Sequence, residues 1–292
     1  MTSASQAARL ADLLSEGRLL LSPCCFDGLT ARLVEQAGFE MTFLSGFAAS
    51  AARIGQPDLG LMSYGEVEAQ TRSVAEATRL PFVADGDTGY GNAMNVIRTV
   101  KGLARAGAAA VMIEDQVAPK RCGHTPGKAV VDRATAEDRI RAAVDAQAEL
   151  RAEGGDVLIL ARTDARHDHG LAEGIGRAVA FRDAGADITF VEAPRTADEM
   201  AEICREVEGP KLVNMLEGGL TPILPHRELE EMGFAIAAYP LTLLSAGMKA
   251  MVGALEAIRE DATDPDALLG FGELRERLGF EDYYARAETY RS

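Results

Sequence analysis

Residues 106–115, Ala106-Gly107-Ala108-Ala109-Ala110-Val111-Met112-Ile113-Glu114-Asp115, join the end of a helical pattern to a short apolar run and two carboxylates. An Ala-Gly pair before an apolar run is typical of a helix that ends at a glycine C-cap. A short, continuous apolar run is typical of a strand buried on both faces of a parallel sheet. The segment therefore predicts one helix-to-strand step of a β/α repeat, with charged side chains where the strand ends.

The same step recurs along the chain, at Ala37-Gly38-Phe39, Ala184-Gly185-Ala186 and Met232-Gly233-Phe234. The predicted strands are 19–24, 41–44, 82–84, 110–113, 157–161, 188–191, 211–213 and 234–238. Amphipathic, alanine-rich stretches between them predict helices at 27–37, 64–78, 93–106, 136–149, 171–184, 197–206 and 225–232.

Eight strands in sequential β/α units favour a closed (β/α)8 TIM barrel of the α/β class over an open doubly wound sheet. No glycine-rich dinucleotide motif follows the first strand, which argues against a Rossmann fold. We therefore expect one barrel domain over residues 1–292. Residues 240–292 are expected to form a helical extension that packs on the barrel or on a partner subunit.

The composition excludes several classes of partner. The formal net charge is -15, whereas nucleic-acid binding needs a basic face, so nucleic acid is not expected to bind. No apolar run reaches the roughly 18–20 residues of a membrane span, and the amino terminus has no apolar signal core. The sequence therefore predicts a cytoplasmic protein that does not bind membranes. A small anionic substrate is compatible with the net charge if its site is locally positive.

Acidic residues follow the third and fourth predicted strands. Asp85 and Asp87 are two residues apart, so on a strand they face the same side. Two such charges are costly unless a cation lies between them, and with Glu114 their oxygens suit Mg2+ or Mn2+. The alternative is that one aspartate caps a helix and the other is solvated. Asp58 either reaches the metal through water or belongs to a plain loop turn.

Other polar strand ends predict a substrate site, because barrel chemistry lies at the carboxyl ends of the strands. The candidate substrate-binding residues there are Ser45, Gly46, Phe47, Arg162, Glu192 and Asn214. A cation at the position of Arg162 needs a partner, and its forked geometry suits a substrate carboxylate. An internal salt bridge to Asp164 or Glu192 is the alternative, and both can hold when the site is empty.

The loop after the fourth strand carries Lys120, Arg121, Cys122, Gly123 and His124 in succession. The neighbouring cations should lower the pKa of the Cys122 thiol, which suits a nucleophile or a general acid and base. His124 either supports Cys122 or forms hydrogen bonds within the loop. An exposed cysteine without a role is the alternative. Glycines in the segment let it move, so we interpret it as a mobile catalytic loop.

These segments together resemble the isocitrate lyase/phosphoenolpyruvate mutase superfamily over roughly residues 18–260. The loop matches the lysine-lysine/arginine-cysteine-glycine-histidine signature of its lyase members. The other matching segments are Ser45-Gly46, Pro57-Asp58, Asp85-Gly86-Asp87-Thr88-Gly89-Tyr90-Gly91, Glu114-Asp115-Gln116, Ala161-Arg162-Thr163-Asp164-Ala165, Val191-Glu192-Ala193 and Asn214-Met215-Leu216-Glu217-Gly218-Gly219-Leu220-Thr221-Pro222.

The resemblance implies an α/β barrel whose eighth helix is swapped between subunits of a homodimer or homotetramer. It implies Mg2+ and a small di- or tricarboxylate, a 2-oxo or 2-hydroxy acid bound on the metal. Because the phosphonate-forming mutases lack this cysteine motif, the resemblance also implies a lyase, in which Cys122 would protonate a carbanion. The function expected from the resemblance is therefore cleavage of a carbon–carbon bond in a 2-hydroxy dicarboxylate.

Three positions bear on the branch of the family. Phe47 stands where the 2-methylisocitrate lyases have glycine, and Ser245 and Phe271 stand where they have arginines for an extra carboxylate. Arg53 is a candidate to compensate. The chain is more similar to the 2,3-dimethylmalate lyase and petal death protein branch, which implies an alkyl malate. The alternatives are a phosphonate mutase, an oxaloacetate hydrolase or decarboxylase, and a non-catalytic barrel that binds a dicarboxylate.

Overall fold

A computed structural model describes residues 5–121, 123 and 127–290 of the chain. In that part of the chain, eight parallel strands alternate with helices. The strands are β1 Leu20–Cys25, β2 Thr42–Leu44, β3 Phe82–Asp85, β4 Ala110–Glu114, β5 Leu158–Thr163, β6 Ile188–Val191, β7 Leu212–Asn214 and β8 Ile236–Tyr239. All eight predicted strands are confirmed, and their ends differ from the predicted ones by no more than two residues.

The sheet closes into a barrel through β6 and β7. The strands lie in the order β6-β5-β4-β3-β2-β1-β8-β7, so these two are the ends of the ladder. A parallel bridge between Thr189 and Lys211 joins them, and the Thr189 N–H donates to the Pro210 carbonyl over 3.1 Å. The predicted (β/α)8 barrel is therefore confirmed.

The helices around the strands are α1 Gln6–Ser15, α2 Gly28–Gln36, α3 Gly46–Ile54, α4 Tyr64–Ala77, α5 Ala93–Arg105, α6 Arg133–Ala152, α7 Arg166–His169, α8 Leu171–Asp183, α9 Ala197–Glu206, α10 His226–Met232, α11 Thr242–Arg259, α12 Phe271–Leu278 and α13 Phe280–Glu288. The predicted helices are confirmed, but α1, α3 and α7 were not predicted. In α3, the Ser45 hydroxyl accepts a hydrogen bond from the Ala48 N–H and begins the helix. Ala7 and Leu10 of α1 are buried in the same apolar cluster as the barrel interior.

Strand side chains alternate between two apolar layers. Val83, Met112 and Leu160 belong to the cluster inside the barrel. Their neighbours Val111 and Ile159 belong to the cluster that contacts the surrounding helices. This period of two follows from strand geometry, and it continues past the last apolar residue of each strand. It therefore decides which polar side chains face the mouth of the barrel.

The chain divides into two compact units, Met1–Leu243 and Leu244–Ser292. The second unit holds most of α11, all of α12 and α13, and a short 3-10 helix at Pro265–Ala267. Neither α12 nor α13 has a buried side chain. Within the described ranges, no helix combines the length and the hydropathy that crossing a bilayer requires.

Gly107 ends helix α5 and leads into strand β4, in the segment 106–115 with which the sequence analysis begins. Its φ is 113°, and the next N–H, of Ala108, donates to the Leu103 carbonyl over 3.1 Å, as in a Schellman motif. A Cβ at residue 107 would lie 2.5 Å from the Cβ of Ala75. Gly38 has the same role after α2, with φ 84°, but a Cβ there would meet nothing within 4 Å.

We expect Gly107→Ala to lower the free energy of unfolding by about 2–4 kcal/mol, because left-handed strain adds to the clash. Gly38→Ala should cost only the strain, about 1–2 kcal/mol. Urea unfolding of both variants measures the difference. Equal costs for the two variants would show that the contact with Ala75 does not constrain the repeat.

Candidate active site

The alternation of strands β3 to β7 places one polar side chain from each of them at the carboxyl mouth of the barrel. Asp85, Glu114, Arg162, Glu192 and Asn214 each lie two residues beyond an interior residue of their own strand. Glu114 and Arg162 are also direct Cα partners across β4 and β5. The structure therefore brings together most of the residues that the sequence nominated from separate strand ends.

These side chains line a cavity of about 610 Å³ that is partly open to solvent. The lining residues are Cys24, Phe43, Ser45, Phe47, Asp58, Asp85, Met112, Glu114, Lys120, Arg121, Gly123, Arg162, Phe190, Glu192, Asn214, Leu216, Ala238, Pro240 and Leu241. The candidate Gly46 lies beside the cavity, where its N–H donates to Asp85 Oδ2 over 3.2 Å. Arg53 does not line the cavity, and its guanidinium donates to Gln70 instead.

Lys120 lies among the carboxylates that the sequence assigned to a metal. Its Nζ is 2.7 Å from Asp58 Oδ2 and 2.7 Å from Asp87 Oδ1. Burial would lower the pKa of this ammonium, but Asp87, Asp85 and Asp58 together raise it well above its ordinary value. Asp85 accepts hydrogen bonds from the backbone N–H groups of Gly46 and Asp87. The cation that the paired aspartates require is therefore supplied, in this structure, by the loop lysine.

The donor set still fits a hard divalent ion. Glu114 is buried, and its Oε1 has no hydrogen-bond partner among the described residues. Burial raises the pKa of the Glu114 carboxyl and, despite nearby Lys120, that of Asp85. Carboxylates so poorly solvated gain from a cation, and oxygen donors of this kind suit Mg2+ or Mn2+. In the described ranges, however, no three Asp, Glu, His or Cys side chains already converge as a metal cage.

Arg162 is held by acidic partners in the protein itself. Its Nε and Nη2 donate to the two oxygens of Asp164 at 2.8 and 3.0 Å, and Nη2 lies 3.0 Å from Glu192 Oε2. Its guanidinium also lies over the ring of Phe190, with Cζ 5.3 Å from the ring centroid. Burial opposes the charge, but Asp164 and Glu192 raise the pKa of Arg162 well above its ordinary value. Both internal salt bridges that were the alternative to a substrate-binding role of Arg162, to Asp164 and to Glu192, are therefore present.

The loop that the sequence analysis predicts to be catalytic is anchored at its base. Gln116 and Val130 form an antiparallel bridge, and the Gln116 side chain hydrogen-bonds to the backbone N–H and C=O of Arg121. Lys120 and Arg121 thereby reach the cavity, as expected for catalytic-loop residues. The two other catalytic candidates of the loop, Cys122 and His124, lie outside the described residues.

Gly123 lies against the Arg162 salt bridge with no room for a side chain. A Cβ at residue 123 would lie 2.3 Å from Arg162 Nη2 and 2.7 Å from Glu192 Oε2. Contacts that close require the far side chains to move. The loop backbone therefore covers the carboxylates and the guanidinium directly.

Sequence reasoning missed the apolar residues of the cavity. The apolar lining includes Phe43, Met112, Phe190, Leu216, Pro240 and Leu241. The alternation of the strands could have identified three of them, since Phe43, Met112 and Phe190 precede Ser45, Glu114 and Glu192 by two residues. Leu216, Pro240 and Leu241 lie in loops beyond β7 and β8, where strand periodicity gives no signal.

The barrel fold and the buried carboxylates and cations at its mouth are typical of a barrel enzyme whose site lies at the carboxyl ends of the strands. The family model described as phosphoenolpyruvate phosphomutase matches residues 10–259. The chain belongs to the phosphoenolpyruvate mutase/isocitrate lyase superfamily.

Three curated relatives show which chemistries lie nearby in the family. The chain is 39% identical over 278 residues to 2,3-dimethylmalate lyase of Eubacterium barkeri, covering 94% of each chain. It is 39% identical over 280 residues to a 2-methylisocitrate lyase of Aeropyrum pernix, covering 95% of this chain and 88% of the relative. It is 44% identical over 260 residues to a chloroplastic carboxyvinyl-carboxyphosphonate phosphorylmutase of Arabidopsis thaliana, covering 88% and 75%.

Solved structures of related proteins support the same family assignment. A 2,3-dimethylmalate lyase superposes with a TM-score of 0.91 at 35% identity, covering 98% of this chain and 96% of its own. An oxaloacetate acetylhydrolase with 3,3-difluorooxalacetate gives 0.92 at 34%, covering 98% and 97%. A phosphonopyruvate hydrolase with oxalate and Mg++ gives 0.86 at 27%, covering 98% and 99%. The predicted class, a carbon–carbon lyase of this superfamily, is confirmed.

We expect Arg162→Met to lower the free energy of unfolding by about 3–5 kcal/mol near pH 7, because Glu192 would lose its cation and Asp164 would keep only Lys128. The control is Arg166→Met, which removes an ion pair to Glu199 outside the cavity and should cost less.

Urea unfolding measures both variants. The deficit of Arg162→Met should shrink as the pH falls toward about 5, because the guanidinium normally holds the pKa of Asp164 below its ordinary range. Without it the carboxyls protonate at higher pH and no longer oppose folding. A deficit equal to that of the control, or independent of pH, would contradict this account of the cluster.

Proposed function

We propose that this protein cleaves the C2–C3 bond of a 2-hydroxy dicarboxylate that carries an alkyl group, a 2- or 3-alkyl malate. The observation that supports this most is the mixed lining of the cavity, which combines the cations Arg162 and Lys120 with the apolar side chains of Phe190, Leu216 and Pro240. Cations suit carboxylates, and an apolar lining suits an alkyl substituent but not a third carboxylate. The 2,3-dimethylmalate lyase among the relatives fits this substrate class.

The reaction needs a base for the hydroxyl proton and an acid for the carbanion. As the base takes that proton, the C2–C3 bond breaks and its electron pair stays on C3. A 2-oxo acid such as pyruvate forms from the C2 side. Cys122, whose neighbours Lys120 and Arg121 favour a lowered pKa, donates the proton to C3 and completes the carboxylate product.

Arg162 holds the carboxylate on the C3 side. Its fork suits a bidentate contact, and Asn214, which donates to Glu192 Oε2 over 3.2 Å, keeps that glutamate beside it. Ser45, Phe47 and Gly123 line the remaining cavity and orient the substrate. The covering backbone at Gly123 excludes water from the carbanion.

We also propose a divalent ion, Mg2+ or Mn2+, held by Asp85, Asp87 and Glu114, with Asp58 through a water molecule. Such an ion supplies Lewis-acid stabilisation and a template for the substrate, worth several kcal/mol. The unpartnered Glu114 Oε1 supports it, as does the complex of the related phosphonopyruvate hydrolase with oxalate and Mg++. Lys120 then has to share or leave its contacts with Asp58 and Asp87.

Release of the 2-oxo acid with Mg2+, which is glyoxylate from isocitrate and pyruvate from the C2-methyl substrates, should be measured with 2,3-dimethylmalate, citramalate, 2-methylisocitrate and isocitrate, and oxaloacetate should be followed alongside them. We expect the alkyl malates to exceed the tricarboxylates roughly 10- to 200-fold in kcat/KM, the range that apolar pockets achieve. Cys122→Ser should abolish cleavage. The control Cys204→Ser, which alters a partly buried thiol outside the cavity, should not.

Two outcomes would replace this proposal. Oxalate and acetate from oxaloacetate, without malate cleavage, would favour the hydrolase chemistry of the 3,3-difluorooxalacetate complex. A new phosphonate resonance by 31P NMR would favour the mutase chemistry, which the 44% identity to the phosphorylmutase keeps as the second candidate. Full activity of Cys122→Ser would remove the thiol from the mechanism.

Removal of the divalent ion should abolish turnover, because the carboxylate cluster supplies no other Lewis acid. We expect dialysis against a chelator to reduce kcat/KM by more than about 100-fold, and added Mg2+ or Mn2+ to restore it. The turnover of Asp85→Asn should not be restored by added Mg2+ or Mn2+. Mg2+ with oxalate should also raise the melting temperature of the wild-type protein and not of the variant. Unchanged turnover after chelation would contradict the proposal.

We further propose that the second unit packs on a partner subunit of a homodimer or homotetramer. Met248, Met251, Val252, Leu255 and Ile258 recur at helical spacing in α11, and each is at least half exposed. An uncovered apolar stripe of this length marks an interface.

Light scattering should give a mass of two or four chains. Met251→Asp combined with Leu255→Asp should reduce it, and Glu256→Ala, off the stripe on the same helix, should not. A monomeric wild-type protein would contradict the assembly.

A further inference from the structure

Lys128 is a buried cation that the proposed mechanism does not use. Its side chain and that of Asp164 are both 0% exposed, and Lys128 Nζ lies 2.7 Å from Asp164 Oδ1. The same ammonium donates to the Gly123 carbonyl over 2.5 Å. A lysine pays a large desolvation cost at such a position and is held there only by strong partners.

Asp164 connects this lysine to the substrate site. Its Oδ1 accepts from Lys128 Nζ and from Arg162 Nη2, and its Oδ2 accepts from Arg162 Nε. One carboxylate therefore lies between a cation of the loop and the guanidinium of strand β5. The pKa of Asp164 is held below its ordinary range, because Arg162 and Lys128 outweigh its burial.

The second contact of Lys128 fixes the loop backbone over the same guanidinium. Gly123, whose carbonyl binds Lys128, leaves no room for a Cβ against Arg162 and Glu192. The two contacts of Lys128 thus act on one place from opposite sides. One holds the carboxylate that orients Arg162, and the other holds the backbone that covers it.

The base of the loop is held by different groups. The Gln116–Val130 bridge, and Arg139 donating to the carbonyls of Glu114 and Gln116, do not involve Lys128. Loss of the Lys128 contacts can therefore release Gly123 while the base of the loop, at Gln116 and Val130, stays folded.

We propose that Lys128 is a positioning residue that holds the Gly123 backbone over Arg162 and, through Asp164, orients the Arg162 guanidinium. This role rests on the proposed function in one respect, that Arg162 binds a substrate carboxylate. The latch itself is a property of the chain and can be measured without turnover.

The test compares Lys128→Met, Lys128→Gln and Lys128→Arg with the control Lys101→Met, which removes a partly buried lysine paired with the exposed Glu153 outside the cavity. The first readout is the rate of trypsin cleavage after Arg121, an exposed loop residue, relative to cleavage after exposed Arg205. The second readout is kcat/KM for the best malate substrate. Each is measured at a temperature well below the melting point of the variant.

We expect Lys128→Met and Lys128→Gln to accelerate cleavage after Arg121 roughly 10- to 100-fold, as loss of a charge-assisted hydrogen bond would give, and to lower kcat/KM at least as much. Lys128→Arg should keep both the cleavage rate after Arg121 and kcat/KM close to the wild-type values, and Lys101→Met should match the wild type in both.

Wild-type cleavage after Arg121 in Lys128→Met or Lys128→Gln would overturn the latch, whatever happens to turnover. Faster cleavage with unchanged kcat/KM would overturn the coupling to Arg162. If the wild-type protein cleaves no malate, the proposed function fails and the proteolysis result still decides the latch. If Lys128→Met does not fold, Lys128→Gln and Lys128→Arg provide the same comparison.

Discussion

Compensation of buried charge is the constraint on which the mouth of this barrel depends. Asp164, Glu192 and Glu114 are almost fully buried beside Arg162, and Asp87 and Asp58 beside Lys120. Carboxylates withdrawn from water in this way need cations within hydrogen-bonding distance. Strand β5 supplies Arg162 and the loop supplies Lys120 and Lys128, the second cation beside Asp164, so the folded barrel and this loop stabilise each other.

The same constraint links stability to catalysis. Under the proposed function, a substrate carboxylate at Arg162 would compete with the internal acidic partners of this guanidinium, and a divalent ion at Asp85 and Asp87 would compete with Lys120. Ligands of the proposed kind would thus replace ion pairs that the protein already makes. Exchange of one set of ion pairs for another costs less than creation of a new buried charge.

The alternation of buried strands made much of this accessible from sequence. Asp85, Glu114, Arg162, Glu192 and Asn214 could be nominated because each ends a short apolar run, and the closed barrel brings such ends together. Contacts made by loops could not be derived in this way. Tertiary placement, which has no period in the sequence, decides these contacts. Examples are the salt bridges of Lys120 with Asp58 and of Lys128 with Asp164, and the position of Pro240 and Leu241 at the cavity.

A structure of the protein with Mg2+ and oxalate tests the central claim most directly, since oxalate offers the metal and Arg162 the carboxylates of a minimal substrate. The account predicts Mg2+ bound through Asp85, Asp87 or Glu114, Lys120 moved from at least one of its aspartates, and oxalate in the cavity beside Arg162. Oxalate bound elsewhere, or Lys120 still bridging Asp58 and Asp87 with no ion at the carboxylates, would contradict it.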